Sequence, residues 1–438
     1  MNSVKTILRG AAKTEMARDI AVETHAVGRE DPGDSIHPAT FGRDATVSVA
    51  LLTAGIDKHY TYGLATALGS RGAVMDVIGS DELEGPELRD APGVTFLNLR
   101  GDQQPTAKLL NKTTRILKYY AKLMLYAAKS KAKIFHILWN NRFQTFDRTV
   151  LMLYYKFLGK KVVITAHNVN TNKRDGKDSR INRLTLRIQY HLSDHVFVHT
   201  EKMKSELTDD FGVPQARVTV IPFGINNAVP RTSLSPTEAK RRLGIEDTEK
   251  TILFFGRITP YKGLDYLVEA FQRSFAARPD YRLLIAGRLM PGCEEYGKDI
   301  EKAIQKDVSD GRILVKSGFI PDDEVEVYFK AADILVLPYR DIYQSGVLFL
   351  GYSFGLPVIA ADVGCLKEDI VEQETGFVFR PGDSIDLAKV MERYFSSDLF
   401  AQLSARREKI EQFATKRHSW EIAGQLTMNA YAELIRGS

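Results

Sequence analysis

Three groups of residues have the types and spacing to do chemistry. Ser353 stands in Gly351-Tyr352-Ser353-Phe354-Gly355, the G-x-S-x-G spacing that carries the attacking serine of many hydrolases. Arg257 and Lys262 lie in the run FGRITPYKG, where a planar guanidinium fork and a compact ammonium suit a diphosphate. The run YRDIYQSG ends in Ser345-Gly346, ahead of the apolar stretch VLFLGYSFG. If a helix starts there, its unpaired N–H groups and dipole favour an anion. The serine hydroxyl can cap such a start, and the glycine admits close approach.

The elements around Ser353 decide its role. A nucleophile elbow needs a strand entering a sharp turn and a helix leaving it. Here the strand ADILVLPY ends about fourteen residues earlier, and SGVLFLGYSFG reads as the helix itself. Ser353 then falls in the last turn of a helix, just before the strand LPVIA. The hydrolase pattern is an accident of composition.

Along the rest of the chain, short strands rich in Val, Ile and Leu alternate with helical runs. ATVSVALLTAG, AVMDVIG, VTFLNL, KIFHILW, KVVITAHN, DHVFVHT and RVTVIP are strands of a first half. KTILFFGRI, YRLLIAGR, RILVKSGF, ADILVLP, GLPVIAAD and TGFVF are strands of a second. Such alternation predicts an α/β chain with parallel sheets covered on both faces. Gly224, Pro230 and Pro236 interrupt it. The expected order is a leader or surface extension over 1–44, a Rossmann-like domain over 45–223 and a linker region over 224–250. A second such domain follows over 251–415, and a final helix over 416–438 is expected to return to the first. Two doubly wound halves facing across a cleft would bind ligands at the carboxyl ends of their strands. Arg257 and Lys262 would both project into that cleft.

Composition narrows the class. The 438 residues, 44% hydrophobic and 26% charged, are those of a globular protein with two domains. Two cysteines, Cys293 and Cys365, cannot build a disulfide framework or a four-ligand zinc site, so a cytoplasmic location is expected. No run approaches a membrane-spanning length, and the N-terminus lacks a signal-peptide core. No H-E-x-x-H, P-loop or G-x-G-x-x-G occurs, which argues against a zinc hydrolase, an NTPase and a dinucleotide dehydrogenase.

The net charge of +5 is unevenly spread: residues 103–146 hold nine Lys and Arg and no acid. Lys108, Lys112, Arg115, Lys122 and Lys129 fall along one face of a helical run. That face reads either as a solvated surface or as a meeting place for anionic lipid head groups. A nucleic acid ranks third, because no recognisable nucleic-acid module accompanies it.

From about Val47 onward the chain resembles the retaining glycosyltransferases of family 4, also called group 1. The second half carries the resemblance through FGRITPYKGLDYLVEAF, LLIAGR, SGFIPDDEVEVYFKAADILVLPY, SFGLPVIAADVGCLKEDI and TGFVF. The first half matches more loosely, through LLTAGIDKHYTYGLATAL and TAHNV. The resemblance implies the GT-B architecture, with a nucleotide sugar in the second domain and an acceptor in the first. It implies transfer with retention and no bound metal or cofactor, a UDP-sugar being favoured over a GDP-sugar. Arg257 and Lys262 become the diphosphate-binding pair, and Gly55 lies in the glycine loop near sugar and phosphate. His167 is placed beside the transferred sugar, with His59 and Asn168 on the acceptor side. The segment at Phe319 and Ile320 would hold the nucleobase, and Ser345, Gly346 and Val347 would face the donor. Catalysis would rest on His167, Arg257 and Lys262.

One departure stands out. Aligned on Gly355-Leu356-Pro357, Ile342 and Leu350 fall where the family carries two glutamates. The expected activity is hexosyl transfer in surface polysaccharide or glycolipid assembly, to a lipid-linked or carbohydrate acceptor at the inner face of the membrane. The missing glutamates leave a second reading, a nucleotide-sugar-binding protein without turnover. A third is a phosphorylase of similar architecture, which would need pyridoxal phosphate.

Overall fold

The computed structural model describes residues 47–437 except 56, 103–108, 175–177, 226–228 and 276. These all fall in one unit, Pro38–Ser438. The leader 1–44 and Lys108 lie outside the described residues, as does the side chain of Lys112.

Seven parallel strands form the first sheet. They are β1 (Ser48–Leu52), β2 (Val74–Gly79), β3 (Val94–Asn98), β4 (Ile134–Ile137), β5 (Lys161–Thr165), β6 (His195–Val198) and β7 (Val218–Val220), in the order β3-β2-β1-β4-β5-β6-β7. Six more form the second: β8 (Lys250–Phe255), β9 (Tyr281–Gly287), β10 (Ile313–Ser317), β11 (Ile334–Leu337), β12 (Val358–Ala361) and β13 (Gly376–Phe379), ordered β10-β9-β8-β11-β12-β13. Both sheets reverse strand order once, between β1 and β4 and between β8 and β11. At each reversal the loops leaving the two central strands diverge, which opens a crevice at their carboxyl ends.

The central strands β1, β4, β11 and β12 are buried along nearly their whole length because both sheet faces are covered. On one face of the first sheet, Val49, Leu51 and Val77 pack with Leu64 and Leu68 of the helix Lys58–Gly69. On the other, Ala50, Phe135 and Ile164 pack with Tyr119, Leu123 and Tyr155. Adjacent strand residues alternate between these clusters, as a period of two requires. One continuous core fills the second half.

The stretch expected as a linker is largely built into the second half. Ser235 caps the helix Pro236–Arg242 by accepting from Glu238 N–H, with Pro236 in the first turn. Ala239 of that helix packs with Leu234 and Ala331, and Lys240 Nζ reaches Asp333 Oδ2 at 3.0 Å. The chain crosses back after the helix Leu403–Arg417, and the final helix Trp420–Arg436 buries Met428 and Tyr431 in the first-half core. The two crossings run together: Ile225 N–H donates to His418 O and Trp420 Nε1–H donates to Ile225 O, both at 2.9 Å.

Candidate functional site

The crevice of the second half gathers the basic pair. β8 ends at Phe255, and the turn that follows carries Arg257, exposed, and Lys262, only 7% exposed. Lys262 Nζ stands 3.9 Å from the ring centroid of Tyr339, the second residue after β11, so a cation is held against an aromatic face. Gly263 allows this approach. Its φ is +65°, and a Cβ there would lie 1.9 Å from Pro338 O. Only glycine lets the turn after β8 press against the end of β11.

The loop after β11 leads into the helix Gly346–Ser353, with Ser345 at its N-cap position. The Ser345 hydroxyl does not cap the helix, contrary to its expected role. It is buried and lies 3.2 Å from Tyr339 OH, so it braces the ring that faces Lys262. Gly346 is exposed and Val347 half-buried beside Gly256. A Cβ on Gly346 would come no nearer than 3.9 Å to Phe223. Packing within the protein therefore does not demand a glycine there. Ile342 and Leu350 are buried in the second-half core. Ser353 is buried in the last turn, its hydroxyl donating to Leu350 O at 2.8 Å, which removes it from any nucleophilic role.

After β10, Gly318 N–H donates to Gly287 O at 2.9 Å and turns the chain. Phe319 is left 71% exposed while Ile320 is buried. The two residues expected to act together thus differ: one offers a face, the other anchors the loop.

The first half presents residues of its own at the carboxyl ends of its strands. The loop after β1 holds Ala54, Gly55 and Asp57 at φ of +51°, +68° and +54°. Gly55 N–H donates to Thr53 Oγ1 at 3.1 Å. Asp57 accepts from Tyr60 N–H at 3.0 Å and so caps the next helix. Left-handed backbone at two non-glycine residues is a sparsely populated conformation that the surroundings must hold in place.

His167 follows β5, with its ring stacked 4.4 Å from Trp139 and set edge-on, 4.5 Å, to Tyr60. Its Nδ1 is 3.1 Å from His199 Nε2, and His199 Nδ1 is 3.3 Å from Ile221 O. A carbonyl oxygen only accepts, so His199 carries its proton on Nδ1 and its Nε2 is a lone pair. His167 then donates from Nδ1, and its Nε2, buried without a hydrogen-bond partner, is also a lone pair. Burial holds the His167 pKa well below the ordinary value, reinforced by His199 and His136, and burial pushes His199 down to about 4. The pair is neutral, with one acceptor atom to spare. Asn168, next in the chain, is half-buried.

His59 does not stand free on the acceptor side. Its Nε2 lies 3.3 Å from Asp322 Oδ1, at the start of the helix Asp322–Ala331 in the other half. A second contact joins the halves, Tyr343 OH donating to Glu206 Oε1 at 2.9 Å.

The aromatic setting of His167 was not read from the sequence. Trp139, His167, His199 and Phe223 lie just beyond the ends of β4, β5, β6 and β7, and Tyr60 touches all four rings. Comparing the residues that directly follow successive parallel strands would have found them. Among the described residues, no group of three His, Cys, Asp or Glu side chains is arranged to hold a metal ion.

Comparison with known proteins follows this division into halves. A family model described as Glycosyltransferase Family 4 matches residues 58–229, and one described as glycosyl transferases group 1 matches residues 236–417. A glycosyltransferase of Methanocaldococcus jannaschii is 29% identical over 244 residues, covering 55% of this chain and 60% of its own. A D-inositol 3-phosphate glycosyltransferase of Streptomyces avermitilis is 27% identical over 247 residues, covering 56% and 53%. The matches thus span between half and two thirds of the length of these curated relatives. Among solved structures, a sucrose-phosphate synthase of Thermosynechococcus elongatus superposes with a TM-score of 0.71 at 20% identity, over 90% of this chain and 100% of that one. Anabaena HepE in complex with UDP gives 0.67 at 16%, over 88% and 99%. At such identities the likeness to solved structures is one of fold.

Proposed function

We propose that this chain, whose two halves match the Family 4 and group 1 glycosyltransferase models and whose fold is of the GT-B type, moves a sugar from a nucleotide-diphosphate donor to an acceptor hydroxyl. The observation that carries the reading is the buried Lys262 against Tyr339, beside Arg257 and the start of the helix Gly346–Ser353, at the reversal point of the second sheet. As the bond from the anomeric carbon to the diphosphate oxygen breaks, negative charge grows on the leaving group. Fixed cations and backbone N–H groups aimed at that charge stabilise the transition state more than the ground state. Ser345, Gly346 and Val347 line this end of the donor site. The exposed ring of Phe319 offers a stacking face to the base, with Ile320 as its anchor.

His167 supplies an acceptor, so its partner is a sugar hydroxyl that donates to Nε2. Gly55 and Asn168 complete the wall on that side. Hexose as the sugar, retention at the anomeric carbon and independence of metal and cofactor follow from the family resemblance. A UDP-sugar is favoured; Anabaena HepE, similar in fold, has been solved with UDP-glucose. The basic helix bearing Arg115, Lys122 and Lys129 supports a lipid-linked acceptor at the cytoplasmic face of the membrane, in surface polysaccharide or glycolipid assembly.

The test is release of nucleoside diphosphate from a panel of UDP-, GDP- and dTDP-sugars, with lipid and oligosaccharide acceptors supplied. Release from one donor, reduced about a hundredfold or more in Lys262→Ala, is the expected result. Tight nucleotide binding with no release from any donor would favour a binding protein. That outcome would fit the apolar Ile342 and Leu350 where glutamates were expected.

A further inference from the structure

Three segments lie side by side on one face of the first sheet: the helix Leu109–Lys129, the helical run 144–157 and the helix Arg180–Leu192. Their shared side follows from the register. Ile164 of β5 pairs with Val196 of β6, and both point to the face where Tyr155 and Leu186 pack. The inner sides of these helices are buried. Their outer sides are unusual.

Of 13 large apolar side chains exposed among the described residues, eight belong to this layer. Leu117 and Leu125 stand on the first helix. Phe143 caps the start of the second segment, which carries Val150, Leu153 and Phe157, the last 87% exposed. Ile181, 68% exposed, and Leu184 stand on the third. Soluble surfaces seldom gather exposed apolar groups in this way unless something covers them.

The exposed charges carried by the three segments themselves have one sign. Lys118, Lys122 and Lys129 are exposed on the first helix and Arg180, Arg183 and Arg187 on the third. The three segments contain one acidic residue, Asp147, which is buried. At the margins Arg115 meets Asp102 at 3.4 Å and Arg183 meets Asp178 at 2.6 Å. Alongside the third helix a cavity of about 280 Å³ opens among Asn170, Arg180, Arg183, Leu184, Arg187, Asp210 and Phe211. Asn170 is three positions beyond His167.

We infer that the outer face of these three segments docks on an anionic phospholipid bilayer, with Leu153, Phe157, Ile181 and Leu184 entering the interface and the cations meeting head groups. The inference extends the membrane-proximal acceptor of the reading above. Aliphatic and aromatic groups interleaved with cations match an interfacial layer, apolar below and negatively charged at its surface. A second copy of this chain fits poorly, since a symmetric contact would bring the same cations together with no exposed carboxylate on these segments to pair them. Docking in this pose would set the arginine-lined cavity beside the membrane surface.

The experiment is flotation of the full chain with vesicles of phosphatidylcholine alone and of phosphatidylcholine mixed with phosphatidylglycerol. Binding to the mixed vesicles, weakened by salt, is expected. The double variant Leu153→Ser/Phe157→Ser should lose about tenfold or more in affinity, since each side chain forfeits apolar burial. Lys118→Ala/Lys122→Ala should lose about fivefold or more per cation. Circular dichroism checks that these exposed positions leave the fold intact. Failure to bind mixed vesicles at low salt, or equal binding by the apolar variant, overturns the inference. So does a dimer in solution that the apolar variant makes monomeric. The two readings separate cleanly: vesicle binding by a chain that releases nucleotide from no donor keeps the surface and sinks the transferase, and the reverse result does the opposite.

Discussion

His167 and His199 are joined ring to ring, Nδ1 to Nε2 at 3.1 Å, and the carbonyl of Ile221 beyond them fixes which atom holds each proton. The free lone pair of His167 is therefore a consequence of a backbone oxygen two rings away. The same arrangement leaves Nε2 of the histidine an acceptor atom, with its one proton held on Nδ1 toward His199.

Replacing either ring tests this. His167→Ala should lower kcat/KM for nucleoside diphosphate release by about tenfold, the scale of one lost hydrogen bond. His199→Phe keeps the packing but removes the acceptor that orients His167, and should cost about threefold. Wild-type rates in both variants would mean that His167 meets no substrate group.

The pH dependence of stability should carry two signs. Burial holds His136, His199 and His418 down at about 3, 4 and 3, and His167 well below the ordinary value. Their folded pKa values lie below the unfolded one. The stability linked to them is thus complete above about pH 6.5 and is lost as pH falls, at up to about 1.4 kcal/mol per pH unit for each. His59 behaves oppositely. Burial pulls its pKa down, but the Asp322 hydrogen bond and charge, with Asp57 and against Lys58, raise it overall. Its contribution is present below about pH 6.5 and fades as pH rises through the raised value. Thermal unfolding scanned from pH 5 to 8 should therefore show Tm falling on the acid side. His59→Asn should flatten only the alkaline side, and an unchanged profile in that variant would remove the His59–Asp322 pair from the account.

The crossing between the halves is built around one indole. A Cβ added to Gly63 or to Gly224 would lie 2.1 Å from the Trp420 ring, so the ring fills a slot that two glycines leave open. Gly224→Ala should destabilise the chain by about 1–3 kcal/mol through overpacking. A smaller residue at Trp420 should relieve that clash. In a double-mutant cycle, Gly224→Ala should cost less on a Trp420→Leu background than on the wild type. Additive losses in denaturant unfolding would show that the slot is not what couples these positions.

Much of this protein was legible in its residues. Alternating apolar strands and amphipathic helices announced two parallel sheets, because hydrophobic periodicity is a local property. The position of Ser353 in a helix's last turn followed from the same reading and disposed of the hydrolase pattern. That Arg257 and Lys262 share the turn after β8 was visible because they are close in sequence and a strand precedes them. Ser345 marked the helix start correctly, yet its hydroxyl turned to Tyr339, since a buried phenol offered a partner that the local pattern did not contain.

What the tertiary structure alone decided lies in contacts between distant residues. The bonding state of His167 depends on His199 and Ile221, each brought to it by a neighbouring strand. His59, read as an acceptor-side residue, meets Asp322 only because the two halves close on each other. The Lys row on one helix was plain in the sequence. That two further segments present Leu153, Phe157, Ile181 and Leu184 beside it was not. Periodicity shows that a helix has an inner and an outer face. Which outer faces share one surface is set by the order and pairing of the strands beneath them.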